Sequence, residues 1–258
     1  MAPLIEVRDL QRRYSRRDTH ALRGVSFEVQ PGQRFGIVDE SGSGKSTLVR
    51  LLAALDQPTA GSVSFRGQQV DGLPERKLKF LRSQLQIVFQ DPMGSLDPRM
   101  RVRDIICEPL GRGDGRRARV AELLDAVGLP ADSGERYPHQ FSGGQRQRIS
   151  IARALAPRPS VLVADEPVSA LDVSVRAQIL DLLADLVDRF NLTLVFVSHD
   201  LGVVRHVCDT VAVMRRGEIV ELGSVDQVYD QPRHEYTREL IAAAPSLQAA
   251  LAKLTEGG

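Results

Sequence analysis

The run from Phe35 to Arg50, FGIVDESGSGKSTLVR, constrains this chain more than any other stretch. Phe35 to Val38 is apolar and reads as a strand. A glycine-rich turn follows, and Lys45, Ser46 and Thr47 open an amphipathic helix whose apolar residues include Leu48, Leu51, Leu52 and Leu55. Strand, loop and helix in that order is the setting a phosphate-binding loop needs. Small residues at Gly42, Ser43 and Gly44 let main-chain N–H groups converge on an anion, and the helix N-terminus adds partial positive charge. In such a loop Lys45 reaches the terminal phosphates and the Ser46 hydroxyl takes a place on Mg²⁺.

The usual pattern, G-x-x-x-x-G-K-[ST], is broken at its first position, which here is Asp39, followed by Glu40 and Ser41. Glycine suits the sharp turn out of the strand. Aspartate tolerates left-handed dihedrals better than most residues, yet it brings a carboxylate toward a polyphosphate. The expected consequence is weakened nucleotide affinity.

A length of 258 residues suits one large α/β domain or a domain with an inserted subdomain. Lys and Arg total 34 against 33 Asp and Glu, so no global field draws the chain to nucleic acid; the tract Arg12, Arg13, Arg16 and Arg17 reads first as solvated loop. Cys107 and Cys208 are far apart and lack zinc or iron–sulfur spacing, which points to a reducing compartment and no structural metal. No charged leader precedes a long apolar core, and no apolar run approaches the roughly 18 residues of a membrane span. The expectation is a soluble cytoplasmic chain, unless a partner holds it at a membrane.

Several further segments carry polar groups at the ends of expected elements. Leu4 to Leu10 and Val25 to Val29 suggest antiparallel strands, with Tyr14 the only aromatic in the polar segment between them. Tyr14 reads either as a half-buried anchor or as a platform for a base. Gly61 to Val70 resembles a strand pair. Ile87 to Gln90 is a short strand ending in glutamine before DPMGSLDPR; Gln90 is an ordinary turn residue, a neutral Mg²⁺ ligand or a group that positions water. Residues Val102 to Gly128 read as helices broken by a basic, glycine-rich stretch at Gly111 to Arg117, and the α/β alternation resumes only at Val161, so this region is an inserted helical subdomain.

Phe141 to Gln145, FSGGQ, precedes RQRISIARALA. Ser142 and Gln145 fit a capping box, while Gly143 and Gly144 are poor helix formers that let something approach the exposed N–H groups, either a second anion or nothing beyond a well-capped helix. Val161 to Ala164 is a continuous apolar strand delivering Asp165 and Glu166 at its carboxyl end, where parallel sheets bind ligands. One such carboxylate can hold Mg²⁺ and the next can accept a proton from water. Leu192 to Val197 is the next buried strand and ends in Ser198, His199 and Asp200; His199 is either structural or a phosphate contact. Val211 to Met214 and Glu218 to Glu221 suggest a hairpin, and the tail from Val225 is helical.

Taken in order, these motifs resemble the ATP-binding subunit of an ATP-binding cassette transporter over almost the whole chain: the phosphate loop at Asp39 to Thr47, a glutamine loop at Gln90, the signature at Phe141 to Gln145, the strand end VLVADE, SALD at Ser169 to Asp172, and a switch histidine at His199. The fold implied is an α/β P-loop NTPase core with a parallel central sheet, an N-terminal antiparallel β subdomain and an inserted α-helical subdomain. The whole chain forms a single domain of this kind, with residues 1–90 and 158–225 as nucleotide-binding core, 91–157 as helical subdomain and 226–258 as tail. FQDPMGSLDPR and RHEYTRELIAAAP are similar to subunits that drive bacterial uptake of oligopeptides, dipeptides and nickel; the cysteine-rich extension of some relatives is not in this sequence.

The resemblance implies ATP and Mg²⁺ as ligands and two such subunits facing head to tail. Lys45 and the loop amides from Asp39 through Thr47 hold phosphates, Tyr14 stacks on adenine, and Ser46, Gln90 and Asp165 organise Mg²⁺. Glu166 polarises the attacking water and His199 holds the γ-phosphate region. Ser142, Gly143, Gly144 and Gln145 serve the ATP of the second subunit, itself homologous or identical. Further implied partners are transmembrane permease subunits and, indirectly, an extracytoplasmic solute-binding protein, which puts the chain at the cytoplasmic face of the inner membrane with no nucleic acid. Chromosome and repair ATPases of the same cassette need long coiled coils that do not fit between Gln90 and Ser142, and translation ATPases carry two cassettes. A nucleotide-gated regulatory subunit is favoured by Asp39 and opposed by intact Glu166 and His199.

Overall fold

The computed structural model describes residues 2–14, 19–39, 44–111, 113 and 115–243. Glu40, Ser41, Gly42 and Ser43 of the loop, Arg16 and Arg17 of the basic tract, and the end of the tail lie outside the described residues. In chain order the elements begin with strands β1 (Ile5–Tyr14), β2 (Thr19–Val29) and β3 (Arg34–Val38), helix α1 (Lys45–Leu52), strands β4 (Ala60–Phe65) and β5 (Gln68–Gln69), α2 (Lys79–Gln84) and β6 (Leu85–Val88). Helices α3 (Pro92–Ser95), α4 (Val102–Cys107), α5 (Arg116–Ala126) and α6 (Gly143–Leu155) follow, then β7 (Val161–Asp165), α7 (Val173–Arg189) and β8 (Thr193–Ser198). The last elements are α8 (Leu201–Val207), β9 (Thr210–Arg215), β10 (Glu218–Ser224), α9 (Val225–Asp230) and α10 (Glu235–Ala243). The chain divides into two compact units, one of residues 1–82 and 193–258, the other of residues 83–192.

The first unit holds an antiparallel sheet in the order β2-β1-β4-β5 and a second run of strands in the order β10-β9-β3-β8. Alternation buries Ile5 and Val7 in β1 and Val25, Phe27 and Val29 in β2, while shifts in the pairing register beyond Val7 break the two-residue period and leave Leu10 and Leu22 buried three residues from Val7 and Val25. β3, by contrast, is buried along its whole apolar run, as a strand flanked in parallel by β8 and β9 must be. Phe27 of β2 stacks on Phe35 of β3 at 5.0 Å, which joins the two sets of strands in one core. The turn Gln30 to Gln33 closes through the Gln33 amide on the Gln30 carbonyl at 3.1 Å, as its Pro-Gly pair predicts. Helix α1 ends at Leu52, so Leu55 stands 48 % exposed instead of continuing the apolar stripe.

Gly36, in the middle of β3, has a packing reason. A Cβ there would lie 2.3 Å from Cγ1 of Val204, so its absence is what lets α8 lie against the strand. Cys208, just after α8, is buried beside it, and burial pushes its thiol far above the ordinary range, leaving an inert apolar filler.

The second unit pairs β6 with β7 in parallel, from Leu85 opposite Val161 to Val88 opposite Ala164. Helix α6 packs on β6, and α3, α4, α5 and α7 pack on α6, with Ile105, Leu123, Ile149, Ala152, Leu162 and Leu183 fully buried. Helix α4 ends at Cys107 and α5 starts at Arg116, behind Gly115 in a left-handed conformation. Arg119 of α5 is 7 % exposed and donates to the carbonyls of Leu155 and Ala156, satisfying the C-terminal end of α6. Among the described residues no helix is long and apolar enough to cross a membrane.

Candidate functional site

In the first unit the site begins where β3 ends. Asp39 follows Val38 directly and is 1 % exposed; Lys45 opens α1, is 6 % exposed, and donates from Nζ to the main-chain carbonyl of Asp39 at 2.8 Å. Gly44 caps α1 at φ 109°, a conformation suited to glycine. A Cβ there would meet the carbonyl oxygen of Ala21 at 2.2 Å, so β2 forbids a side chain at this position whatever the loop binds. Ser46 and Thr47 lie in the first turn of α1, where N–H groups lack helical acceptors and no acidic residue offsets the dipole.

β8 runs parallel to β3 with Ser198 opposite Val38, so Asp39 and His199 leave neighbouring strands at the same edge. His199 is exposed, and the residues around it are tied down. The Asp200 amide donates to Ser198 Oγ at 3.0 Å, and Asp200 Oδ1 accepts from the amides of Gly202 and Val203, capping α8.

Tyr14 is an anchor in this structure. Its hydroxyl donates to Asp56 at 2.7 Å, Arg12 donates to the same carboxylate at 2.7 Å, and the Arg12 guanidinium lies 4.6 Å over the Tyr14 ring. Burial alone would raise the Asp56 carboxyl, but the Tyr14 hydroxyl, the Gln57 amide and Arg12 outweigh it and hold it below the ordinary carboxylate range. Nothing in the local sequence around Asp56 announces this role; its side-chain partners Arg12 and Tyr14 are more than forty residues away.

In the second unit, β6 ends at Val88, leaving Phe89 and Gln90 exposed beyond the strand. Gln90 and Asp165 line one open cavity of about 500 Å³ together with Asp91, Gly94, Ser95 and Arg153. Arg153 of α6 donates to the Ser95 carbonyl and so fastens the signature helix to the segment behind Gln90, a link the sequence motifs did not announce. The oxygen donors of Gln90 and Asp165 suit a hard cation, and among the described residues no larger carboxylate or histidine cluster competes for one. Glu166 sits just past β7 at φ 47°, a left-handed conformation uncommon for a residue with a Cβ, and its carbonyl accepts from the Ser169 amide at 3.3 Å and hydroxyl at 3.1 Å.

The capping box is formed. The Gln145 amide donates to Ser142 Oγ at 3.3 Å and the Ser142 amide to Gln145 Oε1 at 3.0 Å. At Gly144 a Cβ would come within 2.5 Å of Cγ1 of Val175 in α7, so this glycine serves helix packing in addition to any approach from outside. The structure thus places Asp39, Gly44, Lys45, Ser46, Thr47, His199 and Tyr14 in one unit and Gln90, Ser142 to Gln145, Asp165 and Glu166 in the other.

Comparison with known proteins gives the family. Residues 22–169 match the family model described as ABC transporter. The chain is 45 % identical to the di/tripeptide transport ATP-binding protein DppF of Pseudomonas aeruginosa, over 96 % of this chain and 80 % of that protein. It is 47 % identical to the oligopeptide transport ATP-binding protein AppF of Bacillus subtilis, over 94 % of this chain and 78 % of that one. The glutathione import ATP-binding protein GsiA of Shigella flexneri is 49 % identical over 94 % of this chain, which spans 41 % of it. Among solved structures, cbiO1 from Clostridium perfringens, part of the ABC transporter complex cbiONQ, superposes with a TM-score of 0.81 at 28 % identity, covering 98 % of this chain and all of that one. The ATP-binding cassette MJ0796, solved as a dimer in a post-hydrolysis state bound to ADP and Pi, gives 0.77 at 31 % identity, covering 86 % and 98 %. The motif order, the P-loop NTPase fold and these likenesses together make the chain a member of the ABC transporter family, as one of its ATP-binding domains.

Proposed function

We propose that this protein is the ATP-hydrolysing subunit of a bacterial importer for di- or oligopeptides. The observation that carries the chemistry is the pre-placed Lys45 ammonium on the Asp39 carbonyl at the carboxyl end of β3, beside the β8 edge that bears His199. A buried cation carried by the first residue of a helix, beside its N-terminal N–H groups, suits a polyphosphate. The relatives named as peptide transporters supply the solute class.

In this reading Lys45 and the N–H groups of α1 neutralise phosphate oxygens, and His199 contacts the γ-phosphate region. Ser46, Gln90 and Asp165 would hold Mg²⁺, which when bound neutralises charge developing on the phosphates. Glu166 takes up a proton from the attacking water, its position fixed by the turn that Ser169 closes on its carbonyl. Ser142, Gly143 and Gly144 present the amino end of α6 to the ATP of a second cassette subunit. Tyr14 offers adenine the ring face away from Arg12. The working assembly then includes permease subunits and a solute-binding protein outside the membrane, with this chain at the inner face of the bacterial inner membrane.

Asp39 favours a second reading, an ATP-binding subunit with a weakly active site in a hetero-pair, and nickel or another solute is the alternative cargo. Copurifying the chain with its permease and solute-binding partners and measuring ATP turnover against a panel of peptides and nickel tests all three. Peptide-stimulated turnover lost with Lys45→Ala supports the proposal; turnover that survives Lys45→Ala shows that the partner subunit alone does the work.

A further inference from the structure

At the exit of β3 the residue that breaks the loop pattern is met by a side chain from the far end of the chain. The Tyr236 hydroxyl donates to Asp39 Oδ1 at 3.1 Å, and the two side chains, 197 residues apart in sequence, are 3 % and 1 % exposed. The Arg215 guanidinium lies 4.6 Å over the Tyr236 ring, which strengthens the hydroxyl as a donor and adds positive charge near the carboxylate. Tyr236 is held there by its own helix. Glu221 of β10 accepts from the amides of Arg233 at 2.9 Å and His234 at 3.0 Å, and the Tyr236 amide donates to His234 Nδ1 at 3.1 Å, which fixes the start of α10.

A carboxylate at the first position of a phosphate loop has two places to go. Turned toward Lys45, whose Nζ sits on the same residue's carbonyl, it would compete with the phosphates for that cation. Drawn to Tyr236, it is committed to a donor on α10. We infer that Tyr236 is a positioning residue for the phosphate loop. Through α10, the C-terminal segment holds the Asp39 carboxylate on a fixed hydrogen bond and so limits its competition with nucleotide for Lys45. This rests on the reading of Lys45 as a phosphate ligand, and it makes Asp39 a residue with a built counterpart.

The test is a double-mutant cycle on the full chain, with the dissociation constant of ATP measured by calorimetry without Mg²⁺ and the melting temperature measured beside it. Tyr236→Phe is expected to weaken ATP binding about fivefold to tenfold in the parent chain. In the Asp39→Gly background the same change is expected to leave ATP binding unaltered, because no carboxylate remains to be held. If Tyr236→Phe weakens binding equally in both backgrounds, or only lowers both melting temperatures with no effect on affinity, the inference is overturned. Tyr236→Met carries the same cycle should the phenylalanine variant not fold. Failure of both the parent and Asp39→Gly chains to bind ATP would instead remove the nucleotide reading on which the inference stands.

Discussion

Lys45 Nζ donates to the main-chain carbonyl of Asp39 at 2.8 Å, so the cation that opens α1 already reaches back to the end of β3. A lysine with 6 % exposure in that position has lost its rotamer freedom before any ligand arrives. Lys45→Ala should therefore cost at least about 100-fold in ATP turnover of the assembled transporter, as removal of a pre-placed charge from a phosphoryl-transfer site does. Steady-state phosphate release by the purified complex measures it.

Gly36 should tolerate no side chain while Val204 is present. Gly36→Ala brings a methyl within 2.3 Å of Val204 Cγ1 and is expected to destabilise by about 1–3 kcal/mol in urea unfolding. Adding Val204→Ala removes the offending atom. The double variant is expected to be more stable than the sum of the two single changes predicts, and simple additivity would show that the contact is not the cause.

Glu166→Gln keeps the shape of the side chain and removes its basicity. The expected outcome is turnover lowered by about 100-fold or more with ATP affinity preserved, and an ATP-dependent dimer that persists on size exclusion. Undiminished single-turnover hydrolysis would reassign the base.

The seat of α10 should weaken in acid. Burial tends to raise the Glu221 carboxyl, but the amides of Arg233 and His234 outweigh it and hold it below the ordinary range. A depressed folded value means this contribution is complete above the unfolded value of about 4.3 and is lost as pH falls through the folded one. Melting temperature measured from pH 6 down to pH 3 should fall more steeply for the parent chain than for Glu221→Gln. Identical slopes would remove Glu221 from the account.

Much of the fold is legible without coordinates because its signals are local. The capping box of Ser142 and Gln145 acts across three residues, the Pro-Gly turn at Gln30 to Gln33 across as few, and strand and helix periods repeat within each element. Boundaries are less legible. Gln90 reads as the end of a strand that in fact stops at Val88, and Leu55 as part of a helix that stops at Leu52, since the last turns depend on what the neighbouring segment covers.

The sequence by itself determined which chemical groups this protein carries and in what order: the lysine-bearing turn, the serine–glycine helix start, the paired carboxylates after an apolar strand and the histidine after the next. Only the tertiary structure decided what surrounds them. Contacts between residues far apart in the chain leave no periodic trace, so neither the bulk of Val204 against Gly36, nor the carbonyl of Ala21 against Gly44, nor the reach of Tyr236 to Asp39 could be read from spacing. The order of motifs is a property of neighbours along the chain, and the fate of the Asp39 carboxylate is a property of neighbours in space.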